Sequence, residues 1–273
     1  MKKRFLPLLL LAVCLLLSAC ASAQELRVDF YDMGKADSML ITTPGGTRIL
    51  IDAGTNKGGK ALVKRFEEEN IGPIDLMIIT HYDKDHVGGA DKIIEDTGVQ
   101  AIVMPVYDKE SKQHTQFVEA IAEAGIPDVT QLVTGSEATL DIEDGLSLHI
   151  TAAHKSFYGK DEENDFSLAV RMRHGDVRFF FAGDAEEPRQ RELLKEGNVA
   201  CDVLKVPYHG RLTKASEDFL RAASPKIAFI TDSSEEQSSP IVTEILKSLG
   251  ADVHSARDGD ITVLSDGTRV WVE

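Results

Sequence analysis

The chain is poor in cysteine, poor in base relative to acid, and without any segment that would divide it into parts. Only three cysteines occur in 273 residues. Cys14 and Cys20 stand in the leading segment, which leaves Cys201 alone in the body of the chain and excludes a disulfide framework. Cys201 sits in the apolar run Val199-Ala200-Cys201-Asp202-Val203-Leu204, where a small buried hydrophobe is expected rather than a reactive thiol. There is no Pro/Gly/Ser-rich linker, internal repeat or low-complexity tract, so one large domain is expected. Thirty basic residues face 45 acidic ones, a formal charge of −15. That excludes a broad electrostatic platform for nucleic acid, which would be basic. It does not exclude an enzyme that cleaves nucleic acid, because bound divalent metals supply local positive charge where a phosphate sits. The longest apolar run, Phe5 to Leu17, falls short of the roughly 20 residues that span a bilayer.

What is present begins with an export signal. Met1 to Arg4 is basic, Phe5 to Leu17 is apolar, and small residues follow. Leu17-Ser18-Ala19-Cys20 resembles the lipobox of bacterial lipoproteins, which implies acylation of Cys20 and anchoring by lipid to the outer face of the bacterial cell membrane. The alternative is an ordinary signal peptide cut after Ala21 or Ala23. Residues 1–19 carry three basic residues and no acid, so their removal leaves 254 residues with 27 basic and 45 acidic, a charge of −18. The expected organisation is a signal peptide at 1–19, a lipidated cysteine and tether at 20–25, and one domain at 26–273.

Within that domain apolar strands alternate with helices. Leu26–Phe30 alternates as a half-buried strand, and Ser38–Thr42 with Thr47–Asp52 reads as a hairpin around Pro44-Gly45-Gly46. Helices are expected at Gly58–Asn70, Gly89–Thr97, Lys112–Ala124, Glu186–Lys195, Lys214–Ala223 and Pro240–Leu249. Strands are expected at Leu76–Thr80, Ala101–Met104, Leu146–Ala152, Phe166–Met172, Val177–Ala182, Val203–Pro207 and Ile227–Thr231, with a last hairpin over Ile261–Val272. Several of these strands are apolar on both faces, which implies sheet covered by helices. A four-layer αββα sandwich of two mixed sheets fits, and so does a doubly wound sheet.

Three of the strands run straight into metal-ligand residues. Leu76–Thr80 is followed by His81-Tyr82-Asp83-Lys84-Asp85-His86, four potential ligands in six residues, and Gly88-Gly89 gives the loop room to turn into a helix. Surface charge runs rarely hold two histidines behind a buried strand. Phe179-Phe180-Phe181-Ala182-Gly183-Asp184 ends in an acid that alone would read as a helix N-cap. Val203–Pro207 leads through Tyr208 to His209, with Gly210 permitting close backbone approach. Together the three ends suggest one shared edge.

The block His81-x-Asp83-x-Asp85-His86 resembles the metal motif of the metallo-β-lactamase superfamily, in the variant found in the hydrolase domain of ComEC-type DNA-uptake competence proteins. Five further blocks are similar in the same order: Val28–Ser38 with its "DVGQGDS"-like turn, Ile49–Gly54, Asn164–Leu168, Ala182-Gly183-Asp184 and Leu204–Gly210. The departures are Lys35 and Ala36 for Gln-Gly, Tyr208 for a His, and Ser239 where relatives carry His before Pro240. The resemblance implies the αββα fold and two divalent ions, with Asp184 bridging. It implies His81 and Asp83 on the first ion and Asp85, His86 and His209 on the second. Asp85 and Asp184 are then the catalytic acids around a water activated by the binuclear centre. His154 is a candidate to complete the first ion's ligands, although Ala152-Ala153-His154-Lys155 matches no sharp motif. The remaining His114, His149, His174 and His254 read as surface or structural. Asp37, Asp52 and Gly54 are expected behind the ligands.

Carboxylate-rich ligation brings Mn²⁺ beside Zn²⁺ as the expected ion. Lys205 either neutralises a substrate phosphate or extends out of its strand; Asn164 either donates to substrate or shapes a turn. The expected substrate is a phosphodiester, small or polymeric, with nucleic acid or an envelope polymer as candidates, and no protein partner is evident. The competing readings are a lactone, ester or β-lactam hydrolase, and a non-catalytic binding lipoprotein on the same fold.

Overall fold

The structure is a computed structural model describing residues 25–159 and 163–273. The signal peptide, the lipid-bearing Cys20 and most of the tether lie outside the described residues. In chain order the first half carries β1 (Leu26–Phe30), β2 (Met39–Thr42), β3 (Arg48–Ile51), β4 (Ile74–Ile78), β5 (Val99–Pro105) and β6 (Asp128–Leu132). The second carries β7 (Glu137–Glu143), β8 (Leu146–Thr151), β9 (Ala169–His174), β10 (Val177–Phe181), β11 (Val203–Lys205), β12 (Ile227–Ile230) and β13 (Asp252–Ser255). The C-terminal hairpin β14 (Ile261–Ser265) and β15 (Val270–Val272) crosses back to the first sheet. The sheets run β15-β14-β1-β2-β3-β4-β5-β6 and β13-β12-β11-β10-β9-β8-β7. Each is antiparallel at one end and parallel at the other, where β3-β4-β5-β6 and β10-β11-β12-β13 align.

Three apolar layers hold this together. Phe30, Ile51, Ile78, Phe179, Phe181 and Phe229 lie between the sheets, with the Phe30 and Phe229 rings 4.8 Å apart. Leu50, Met77 and Ile79 face the other way, beneath α1 (Asn56–Glu68), α2 (Ala90–Lys92) and α3 (Lys112–Ala124). Phe180 and Leu204 face α4 (Glu187–Glu196), α5 (Ser216–Ala223) and α6 (Pro240–Ser248). The parallel strands are therefore apolar on both faces because both faces are covered. The four-layer αββα sandwich is the observed architecture. Among the described residues no helix is long and apolar enough to cross a membrane.

The departures from expectation are local. β6, β7 and β13, unanticipated from sequence, are all edge strands, and their mixed exposure and charge are what an unpaired edge requires. The strand expected from Phe166 starts only at Ala169, because Glu163–Phe166 forms a 3₁₀ turn closed by Ser167 N–H donating to Asn164 O at 3.0 Å. β11 stops at Lys205, since Pro207 has no N–H to donate and opens another 3₁₀ turn. The helix at Gly89–Thr97 is a single α-turn running into the π-helical segment Ile93–Thr97. Its start is packed backbone to backbone on α1: a Cβ at Gly89 would lie 2.3 Å from Ala53 O and 2.6 Å from Gly59 Cα. Glycine is required there by contact, as the turn out of the His81–His86 loop had suggested.

A candidate metal centre at the parallel ends of both sheets

One strand of the first sheet and two of the second end at one point. β4 delivers His81, Asp83, Asp85 and His86; β10 delivers Asp184; β11 delivers His209 through a turn in which Tyr208 (φ 54°) and His209 (φ 50°) both adopt left-handed backbone. Two such residues in succession, neither of them glycine, mark a strained turn held by its surroundings. His81, His86, Asp184 and His209 are buried, with relative exposures of 0 to 2%.

Hydrogen bonds behind the imidazoles fix which nitrogen faces the centre. His86 Nδ1 lies 2.8 Å from Asp52 Oδ2, an obligate acceptor, so Nδ1 carries the proton. His209 Nδ1 donates to Thr231 O at 2.9 Å by the same logic. Thr80 gives its hydroxyl proton to Asp52 Oδ2 (2.7 Å) and so accepts from His81 Nδ1 at 3.1 Å. In all three rings Nε2 is left toward the centre, and none of the three Nε2 atoms has a hydrogen-bond partner among the described residues. They converge on acids: His209 Nε2 is 2.8 Å from Asp184 Oδ2 and 3.5 Å from Asp85 Oδ2, and His86 Nε2 is 3.4 Å from Asp184 Oδ1. His81 Nε2 lies 4.0 Å from Asp83 Oδ2, and its ring centroid is 4.0 Å from that of His86. Three buried imidazole nitrogens beside the carboxylates of Asp83, Asp85 and Asp184 form a donor set for divalent cations.

Asp37 belongs to this neighbourhood. Its carboxylate, with His86, Asp184 and His209, completes a group whose ligand-capable atoms lie within 4.8 Å of one another. It approaches the rings from their Nδ1 sides, at 3.7 Å from His86 and 3.5 Å from His209. It therefore sits behind the imidazoles, as Asp52 does, in the supporting position expected from sequence.

Each acid is matched by a lysine. Lys35 Nζ is 2.9 Å from Asp85 Oδ2, Lys109 Nζ is 3.0 Å from Asp83 Oδ1, and Lys205 Nζ is 3.4 Å from Asp184 Oδ1 and paired with Asp37. Burial alone would push the Asp85 carboxyl up, but His209, His86 and Lys35 outweigh it and hold Asp85 ionised. Asp184 is likewise held well below the usual carboxylate range by His209, His86 and Lys205 against burial. His81 is pushed down to about 4, by burial first and by the neighbouring His86 second, and stays neutral, the form that binds a metal.

Residues 31–230 match the metallo-β-lactamase superfamily. The chain belongs to that superfamily. It is 28% identical over 230 residues to ComE operon protein 3 of Bacillus subtilis, a match covering 78% of this chain and 29% of that protein. The similarity to ComEC-type proteins read from the five sequence blocks is thus present, although the chain spans less than a third of that relative's length. A UPF0173 metal-dependent hydrolase of Thermococcus onnurineus is 28% identical over 178 residues, covering 65% of this chain and 72% of the relative. The metallo-β-lactamase fold protein YhfI of Bacillus subtilis superposes with a TM-score of 0.57 at 12% identity, over 90% of this chain and 99% of that one.

Against the superfamily pattern, two expectations are corrected. Lys205 reaches neither a substrate phosphate nor solvent: it is fully buried beneath the site, donating to Gly183 O at 3.0 Å between Asp37 and Asp184. His154 does not join the centre; its ring is 47% exposed and pairs with Glu196 at 3.0 Å. Asn164 serves structure: from the 3₁₀ turn it donates its amide to Glu186 Oε1 at 2.8 Å, at the start of α4. Ser167, whose hydroxyl accepts from Asp184 N–H at 3.0 Å, and Thr231, Lys35 and Lys109 all contact the centre without having been singled out for that role. Lys35 carried a signal, as a departure from the family turn; the others had none, because their partners are remote in sequence. A hollow of about 690 Å³ lies beside Glu186 and Tyr208, and none of the six candidate ligands lines it.

Proposed function

We propose that this metallo-β-lactamase superfamily member is a phosphodiesterase using two divalent ions, Zn²⁺ or Mn²⁺. His81 and Asp83 would hold one ion, Asp85, His86 and His209 the other, and Asp184 would serve both. The observation that carries this reading is the convergence of three buried, partnerless imidazole Nε2 atoms on Asp184 and Asp85. Bound there, the ions supply Lewis acidity to a phosphoryl oxygen and lower the pKa of water toward neutrality. Asp85, kept ionised with its side chain 12% exposed, would help hold its ion and orient the attacking water by accepting its hydrogen bond. Asp52, Thr231 and Thr80 keep the rings from turning, and Lys205 balances the charge of Asp184 and Asp37 from below.

The acid-rich donor set favours harder ions and the phosphodiester chemistry that goes with them. Small phosphodiesters, an envelope polymer and nucleic acid are the candidate substrates. Metal analysis paired with hydrolysis of bis-p-nitrophenyl phosphate tests the reading. Metal-dependent cleavage supports it; bound metal with turnover of lactones or nitrocefin and no phosphodiester cleavage would replace it. Export and lipid anchoring rest on Met1–Cys20. Incorporation of labelled fatty acid that is lost in Cys20→Ser is the expected outcome, and a soluble, unlabelled product would refute the anchor.

A further inference from the structure

The two halves of the donor set are not alike. Asp85, His86, His209 and Asp184 form a compact inner group, with nitrogen-to-oxygen approaches of 2.8, 3.4 and 3.5 Å and side chains no more than 12% exposed. His81 and Asp83 form an outer group at 4.0 Å, and the Asp83 side chain is 34% exposed. The ring that would have added a third donor, His154, is committed to Glu196. One Asp83 oxygen is already bound by Lys109, whose ammonium is also paired with Glu163 and whose side chain is only 16% exposed.

We propose that the inner position binds its divalent ion tightly and the outer one weakly, and that Lys109 is the positioning residue that sets the outer affinity. This rests on the ligand reading given under Proposed function. An ion at the outer position competes with a fixed ammonium for Asp83 and sits beside its positive charge. Lys35 competes for Asp85 in the same way. The inner position still keeps two imidazoles and Asp184, whereas the outer one without Asp83 keeps only His81 and a share of Asp184. The consequence is an enzyme whose two-metal form appears only as free metal rises.

The test is calorimetric titration of chelator-stripped protein with Mn²⁺, with bound metal counted by elemental analysis. One tight ion and a second at least about 10-fold weaker are expected. Lys109→Met should tighten the second by about 10-fold, and Lys109→Arg, which keeps the cation, should restore the wild-type gap. Two ions bound with one affinity, or a weak constant unmoved in Lys109→Met, would overturn the proposal while leaving the metal centre intact. No uptake at all would overturn the ligand reading itself.

Discussion

Lys205→Met isolates the corrected role of a residue that could have been assigned to substrate. The ammonium is fully buried, pairs with the equally buried Asp37, and lies 3.4 Å from Asp184 Oδ1. Methionine keeps most of the side-chain volume, so the perturbation is the lost charge. Asp37 would retain only the imidazoles of His86 and His209, at 3.7 and 3.5 Å, while desolvation continues to oppose its ionisation. Removing one member of a buried ion pair costs roughly 3–5 kcal/mol. For a domain of this size each kcal/mol moves the melting temperature by about 2–4 °C, so a fall of roughly 6–20 °C is expected. The assay is thermal unfolding in excess chelator, where no bound cation can substitute for the lysine. Adding Asp37→Leu should recover most of the loss, because an apolar replacement of the whole pair is often neutral. A melting temperature within about 2 °C of wild type, together with a raised KM for bis-p-nitrophenyl phosphate, would refute the reasoning and return Lys205 to the substrate.

Other outcomes follow from the same geometry. Asp52→Ala removes the acceptor that orients His86 and should weaken metal binding by about 10–100-fold in equilibrium dialysis; unchanged affinity would contradict it. In chelated protein His86 and His209 have raised pKa values: burial disfavours their cations, but Asp184 and the acids around it outweigh burial. Their stabilisation is full below the unfolded value of about 6.5 and is lost as pH rises through the raised values, whereas His81, held at about 4, contributes fully above about 6.5 and loses its contribution as pH falls toward 4. Metal binding near neutrality should therefore release protons, read as a buffer-dependent calorimetric enthalpy; proton uptake would contradict this. Gly89→Ala forces a Cβ to within 2.3 Å of Ala53 O and should cost about 1–3 kcal/mol in denaturant unfolding. Cys201 is buried and its thiol is pushed far up by that burial, so native protein should show no reaction of Cys201 with a thiol reagent until it is unfolded.

The interior of this fold was far more legible than its margins. β4, β10 and β11 are apolar on both faces because helices cover one side of each sheet and the other sheet covers its second side, and that pattern alone marked them and the ligands at their ends. The edges β6, β7 and β13 could not announce themselves: a strand with one unpaired side carries the polar residues of a loop. At the centre, ligand-bearing segments stood out through residue type and spacing. Their support did not, since Lys35 and Asp85 lie 50 residues apart and Lys109 and Asp83 lie 26 apart. Lys205 shows the limit most clearly. A lysine at a strand end beside a metal motif suggests phosphate binding, and only the buried Asp37 behind it reveals a structural pair.

The claim at the centre is that His81, Asp83, Asp85, His86, Asp184 and His209 form one metal-binding hydrolytic site. Elemental analysis at saturating Mn²⁺ or Zn²⁺, run with bis-p-nitrophenyl phosphate hydrolysis for wild type and Asp184→Asn, tests it most directly. The account predicts two ions per wild-type chain and metal-dependent cleavage, with both ion content and cleavage sharply reduced in Asp184→Asn. A wild-type protein that takes up no stoichiometric metal, or an Asp184→Asn variant that keeps both ions and full activity, would contradict it.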